Sequence, residues 1–253
     1  MFDESPRHNE YTQASPSIMA EETLLHRFNR HFRTMSADTP DLIRQAQEIR
    51  YQVYCVERQF ENPTDHPDRR EKDKLDAHSV HSLLIHRATG YGLGTVRLVL
   101  FRRDMPSESF AIQRLTPPSV WAASLPLQTT AEVSRFSISK HSRETLYSLD
   151  GDLASERQIG PLMSLGLIQT LVRMSGKHGI THWCALMEPK LLRMLAAMAI
   201  HFKPLGAPVE YHGLRQPCYC HVPTVIERVR RDRPTFWQIL TDTESKGACA
   251  LVA

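Results

Sequence analysis

The chain lacks any apolar run long enough to span a bilayer. Its opening stretch from Met1 to Pro16 carries Asp3, Glu4, His8, Asn9 and Glu10 and has no apolar signal core. These absences point to a cytoplasmic protein without stable membrane insertion. Cysteine is scarce: five, at positions 55, 184, 218, 220 and 249, form an odd set with no disulfide framework, which fits a reducing compartment. A charge excess is missing too. The 31 Lys and Arg against 28 Asp and Glu leave only +3, too mild and scattered for nucleic acid to lead the candidate partners. What is present is a globular balance, 41% hydrophobic and 23% charged over 253 residues, enough for a substantial core.

Residues 1–20 read as a flexible polar leader, 21–245 as a single domain and 246–253 as a tail. Phe28 to Met35 reads as a short strand. Asp38-Thr39-Pro40 is a helix start, and Leu42, Ile43, Ala46, Ile49, Tyr54 and Val56 continue it at helical spacing. Asn62 to Lys74 is polar and reads as a mobile loop or lid. Val80–Ile85 and Gly94–Phe101 read as neighbouring strands with a turn over Ala88–Gly92, and Glu132–Ile138 as the next strand. Between them, 102–130 is an excursion holding four prolines, at 106, 117, 118 and 126. After a polar insertion at 139–156 come an apolar helix at Gly160–Met174, a strand at Thr181–Leu186 and a helix at Pro189–Ile200. A strand and turn over Val209–Cys220 and a charged helix near Val222–Arg230 follow. Strands separated by helices give a mixed α/β sheet flanked by helices.

Two stretches set charges among large apolar side chains: 50–57, RYQVYCVE, and 132–136, EVSRF. Unpartnered charges are costly to bury, so these groups meet each other or a ligand. Arg50 and Tyr54, four apart, share a helix face and with Phe60 could line a pocket; an amphipathic helix with a solvated arginine explains the pattern equally well. Asp73 and Asp76 could face a substrate amine or simply be solvated beside Lys72 and Lys74. Arg97 points into a cleft or lies on a wet sheet face. From Glu132 to Ile138 the two-residue alternation fails. A bulge would resolve the conflict and splay Glu132 and Arg135, the first as a proton acceptor, the second holding Asp73, Asp76 or a donor phosphate. A plain cross-strand ion pair is the alternative. Arg157 and Gly160, at a helix start, could meet the phosphate of an acyl carrier or be mere helix punctuation. Cys184 reads as a buried apolar residue. Cys218-Tyr219-Cys220-His221 lacks the second ligand pair of a zinc finger, and no metal is expected.

The ordered set Arg50, Tyr54 and Phe60, Asp73-x-x-Asp76, Arg97-Leu98, Phe110 and Glu132-x-x-Arg135-Phe136 resembles the acyltransferases associated with bacterial exosortase and PEP-CTERM protein sorting. More distantly it is similar to acyl-homoserine-lactone synthases and N-acyl amino acid synthases, all of the GNAT superfamily. The resemblance implies a GNAT-like fold and a cleft in which Glu132 is the general base and Arg50, Arg97 and Arg135 organise carboxylates and donor. Phe60, Phe110 and Phe136 would shape the substrate pocket beside Tyr54. Phe60 stands where the lactone synthases carry tryptophan, and Tyr54 where they carry phenylalanine; the polar segment at 62–72 is longer. Arg157-x-x-Gly160-x-Leu162 half matches the GNAT phosphate loop.

The resemblance implies transfer of a fatty acyl group from an acyl carrier protein or CoA thioester to a small amine, such as that of an amino acid. Acyl carrier protein is the preferred partner, and the thioester is a co-substrate, with no tightly bound cofactor. Lactone synthesis from S-adenosylmethionine and non-catalytic acyl-chain binding are the alternatives. Any apolar helix could be covered within the fold or by a second copy, so a homodimer stays open.

Overall fold

The computed structural model describes residues 23–120, 125–149 and 159–242. The expected leader and tail, and Arg157, lie outside the described residues.

Thr23 caps the first helix, its hydroxyl accepting from the His26 N–H at 3.2 Å, and α1 runs Leu24–His31 before β1, Phe32–Ala37. The expected strand over 28–35 is thus half helix. The four-residue spacing of Phe28 and Phe32 is the reason: their rings meet at 5.8 Å in the core. Thr39 caps α2, Pro40–Tyr51, with the proline in its first turn. The helix then widens into a π-helical turn, Gln52–Glu57, where the Arg58 N–H reaches back to the Val53 carbonyl.

Next come β2, Ser79–His86, and β3, Gly92–Val99, then β4, Thr130–Ile138, and α3, Lys140–Leu149, inside what reads from sequence as a polar insertion. The long apolar helix α4 spans Ile159–His178, followed by β5, His182–Met187, and α5, Pro189–Ala197. α5 stops short of the expected Ile200 because the chain turns left-handed at Ala199, with φ 65°. The short strands β6, Lys203–Pro204, and β7, Val209–Glu210, precede β8, Leu214–His221. Two helices close the described chain: α6, Val222–Asp232, and α7, Pro234–Thr241, the latter unread in the sequence.

The strands form one mixed sheet in the order β1-β2-β3-β4-β5-β8-β6, with β7 paired to β8. β4 and β5 run parallel, and the other pairings are antiparallel. Helix α2 covers one face, where Ala46 and Ile49 meet Leu83 and Ile85. Helix α4 covers the other, its residues packed with Leu84, Val96 and Val133 in the main core. Gly166 allows this close approach: a Cβ there would stand 2.8 Å from Leu84.

Two irregularities in β4 shape the functional region. Parallel pairing with β5 ends at Glu132 opposite Cys184, while β5 continues with β8 as far as Met187 opposite Gln216. The sheet therefore parts beyond Glu132. On its other side, Thr95 pairs with Ser137 but Arg97 with Ser134, so β4 carries one extra residue across that step. This is a β-bulge, and Arg135 within it has φ 51°.

Candidate functional site

Where β4 and β5 part, a cleft of about 310 Å³ opens. One wall is β4 from Glu132 to Ile138; the other is Leu186 to Glu188 with Leu191. The π-helical turn brings Val53 and Tyr54 to it, and the chain beyond adds Arg58, Phe60 and Glu61. Tyr211, His212 and Arg215 come from the β7–β8 hairpin.

Beside this cleft, three arginines and three carboxylates interlock. Arg50, on the last turn of α2, is wholly buried; its Nε donates to Glu71 Oε2 at 2.5 Å and its Nη1 to Asp76 Oδ1 at 2.8 Å. Arg97 on β3 donates Nη1 to Asp73 and Asp76, both at 2.6 Å, Nη2 to Asp73 at 3.0 Å and Nε to the Ser134 hydroxyl at 3.0 Å. Arg135 grips Glu71 bidentately, Nε–Oε2 3.0 Å and Nη2–Oε1 2.8 Å, and reaches Asp73 at 3.1 Å. The Tyr54 ring lies under its guanidinium, 5.0 Å from the centroid. Asp73 and Asp76 are aimed by their own local structure. Asp73 accepts from the Leu75 N–H at 2.9 Å, and Asp76 reaches back to the Asp73 N–H at 3.2 Å, a reciprocal capping box on the short helical turn Lys74–His78.

Burial alone would push these carboxyls up, but the guanidinium hydrogen bonds and charges outweigh it. Glu71 is held down at about 2 by Arg135 and Arg50, Asp73 well below the usual range by Arg97 and Arg135, and Asp76 below it by Arg50 and Arg97. The three carboxylates stay ionised near neutrality opposite three guanidiniums, which is what makes their burial tolerable.

Glu132 differs. It is buried on β4 at the last pairing with β5, and its Oε2 accepts from the Ala111 N–H at 2.6 Å. Burial drives its carboxyl up to about 7, against the opposing pull of Arg97, the Ala111 and Ile112 N–H groups and Arg135. Facing the cleft with a pKa near neutrality, it can take up and return a proton under ordinary conditions.

The structure therefore brings Tyr54, Phe60, Asp73, Arg97, Glu132, Arg135 and Phe136 to one cleft. Arg50 and Asp76 stand behind it, joined through Glu71 and Arg97. Phe110 is a correction to the expected pocket wall: it is fully buried with Val99, Ile112 and Cys184, and its neighbour Ala111 meets Glu132. Gly160 opens α4 and does not line the cleft. The segment over 62–74 is fastened near its end by Glu71, whose N–H bonds the Gln47 carbonyl at 3.1 Å.

Glu71 itself carries no local signal: Asp73, Asp76 and Glu132 already match Arg50, Arg97 and Arg135 in number, so charge counting does not point to it. Arg58, Glu61, Glu188, His212 and Arg215 carried no local signal. The thiols of Cys184, Cys218 and Cys220 are pushed up by burial, which keeps them protonated in the core. Among the described residues, no helix is long and apolar enough to cross a membrane.

Residues 49–149 match the family model described as the acetyltransferase (GNAT) domain. Solved structures share the fold. TofI in a ternary complex with an inhibitor and MTA superposes with TM-score 0.56 at 19% identity, covering 80% of this chain and 99% of that one. The CoA-dependent acyl-homoserine lactone synthase BjaI with SAM and isopentyl-CoA gives 0.53 at 21%, covering 87% and 91%. The AHL synthase LasI gives 0.52 at 18%, covering 75% and 89%. No curated protein matches the sequence significantly. The chain has a GNAT-like fold with structural relatives among the acyl-homoserine-lactone synthases.

Proposed function

We propose that this GNAT-type acyltransferase moves a fatty acyl group from a carrier thioester to a small amine, such as the amine of an amino acid, with Glu132 as general base. The observation that carries the reading is Glu132 itself, a buried carboxyl of pKa about 7 on the cleft wall where β4 and β5 part. The acceptor ammonium loses a proton to Glu132, directly or through water. The freed amine attacks the thioester carbonyl, and the C–N bond forms as the oxygen takes the negative charge. Collapse restores the carbonyl and expels the thiolate, which recovers the proton from Glu132. The nitrogen, carrying an extra proton after attack, releases it to solvent to leave the neutral amide. Holding both reactants in one cleft supplies much of the rate, and β4 N–H groups beyond its pairing with β5 are available to the oxyanion.

Apolar side chains on both walls, Val53, Phe136, Ile138, Leu186, Met187 and Leu191, suit an acyl chain. Acyl carrier protein is favoured over CoA as donor. A pyrophosphate needs free N–H groups such as a helix start supplies, and at the start of α3 Glu57 already takes two, Lys140 N at 2.9 Å and His141 N at 3.1 Å, besides the Ser139 hydroxyl at 2.8 Å. The ordered cluster's resemblance to the exosortase-associated group supports placing the enzyme in that sorting system.

The test incubates the protein with acyl-carrier-protein and CoA thioesters and a panel of amines, following free thiol and product mass. Acyl-amide product with stoichiometric thiol release is expected. A lactone formed from S-adenosylmethionine would make it a lactone synthase, and acyl binding without thiol release would make it a binding protein.

A further inference from the structure

The arginines of the cleft are not equivalent. Arg97 and Arg135 are neutralised by carboxylates that, with Arg50, balance three against three. Arg58 and Arg215 share a single carboxylate, Glu188. The Nη1 atoms of both lie 3.0 Å from the same oxygen, Glu188 Oε1, Arg58 as a hydrogen bond and Arg215 as an ion pair. Both guanidiniums also lie against the Phe60 ring, 5.7 and 5.6 Å from its centroid. One carboxylate oxygen thus serves two guanidiniums; Glu61, the other carboxylate on this part of the cleft, lies 3.8 Å from Arg135 and from His212 instead. Arg215 is nearly buried and held by a further bond from Nη2 to the His212 carbonyl at 2.8 Å, whereas Arg58 is half exposed. The pair thus has one fixed and one adjustable member.

We propose that Arg58 and Arg215 form a substrate oxyanion site, in which Glu188 holds the place that an incoming phosphate or carboxylate takes. This rests on the acyl-transfer reading of the cleft. Two planar guanidiniums converging on one oxygen offer the forked donors that bind such groups bidentately. Glu188 keeps the pair from repelling while no substrate is present. The oxyanion comes either from the phosphopantetheine arm of the donor or from a carboxylate on the acceptor amine.

Binding distinguishes the sources without requiring turnover. Calorimetric titration of the full chain compares 4′-phosphopantetheine with pantetheine, and amino acids with their amides. One phosphate or carboxylate member should bind more tightly than its uncharged partner. Arg215→Gln and Arg58→Gln should each weaken that member about tenfold or more, the scale of one charge-assisted hydrogen bond, while sparing the uncharged partner. Glu188→Gln, which removes the internal competitor, should tighten it. A purely structural Glu188 would make that variant weaker instead, and this result overturns the proposal, as does equal binding of charged and uncharged partners in both pairs. Loss of thiol release with anion binding intact would fault the acyl-transfer reading and leave the anion site standing.

Discussion

Arg135 and Glu71 meet in a bidentate pair, 3.0 and 2.8 Å, although Arg135 must adopt a left-handed backbone conformation within the β4 bulge from which it does so. That conformation costs a non-glycine residue on the order of 1 kcal/mol or more and persists only where its surroundings over-determine it. Glu71, Asp73 and the Tyr54 ring do so here.

Removing either partner strands a buried charge. Arg135→Ala and Glu71→Gln should each destabilise the protein by about 3–5 kcal/mol, and Arg135→Lys, which loses the fork, by less. Urea unfolding measures this. In a double-mutant cycle the two losses should fall well short of additive; simple additivity would contradict direct pairing.

Glu132→Gln should lower kcat/KM by about 10²–10⁴-fold, the usual contribution of a general base. The wild-type pH profile should rise through an apparent pKa near 7 and flatten above it, and that inflection should vanish in the variant. Unchanged transfer by folded Glu132→Gln protein would remove the carboxylate from the mechanism.

The same carboxyl ties stability to pH. Its folded-state pKa of about 7 lies above the ordinary 4.5, so the folded protein holds the proton longer than the unfolded chain. Its contribution is fully present below pH 4.5 and is lost as pH rises through 7. Wild-type melting temperature should therefore fall relative to Glu132→Gln across that window.

The ion network carries the opposite sign. Glu71 is depressed from 4.5 to about 2, so its contribution is present above pH 4.5 and is lost as pH falls towards 2. Acid titration followed by circular dichroism should show Glu71→Gln less stable at neutral pH but with a shallower further loss between pH 4.5 and 2.

Gly94 sits where β3 meets the far side of the bulge, and a Cβ there would stand 2.7 Å from the Ser137 carbonyl oxygen. Gly94→Ala should cost about 1–3 kcal/mol, as overpacking does, and should lower activity too because the bulge aims Arg135. Activity loss with unchanged unfolding free energy would refute this strain argument.

Periodicity and local chemistry were sufficient for much of this architecture. The cap at Thr39-Pro40, the hairpin of β2 and β3, the apolar run of α4 and the broken alternation of β4 are written in neighbouring residues, and each appears within a few positions of where the sequence puts it. The capping box of Asp73 and Asp76 is equally local. Partners distant in sequence could not be read this way. Glu71 has no local signature, and only the packing of its segment on α2 delivers it to Arg50 and Arg135. Phe110 looked like a pocket wall because aromatics line pockets and fill cores alike, and only the surrounding Val99, Ile112 and Cys184 assign it to the core.

Order and spacing along the chain thus determined which elements form and which charges must find partners, since backbone geometry and the cost of burying charge are properties of short segments. Which charges pair, and which one keeps a proton near neutrality, was decided by tertiary structure. Glu132 and Glu71 are the same residue type, yet one is desolvated beyond reach of a bonded guanidinium and the other is clasped by two. That difference arises only where β4 parts from β5 and three separate segments converge.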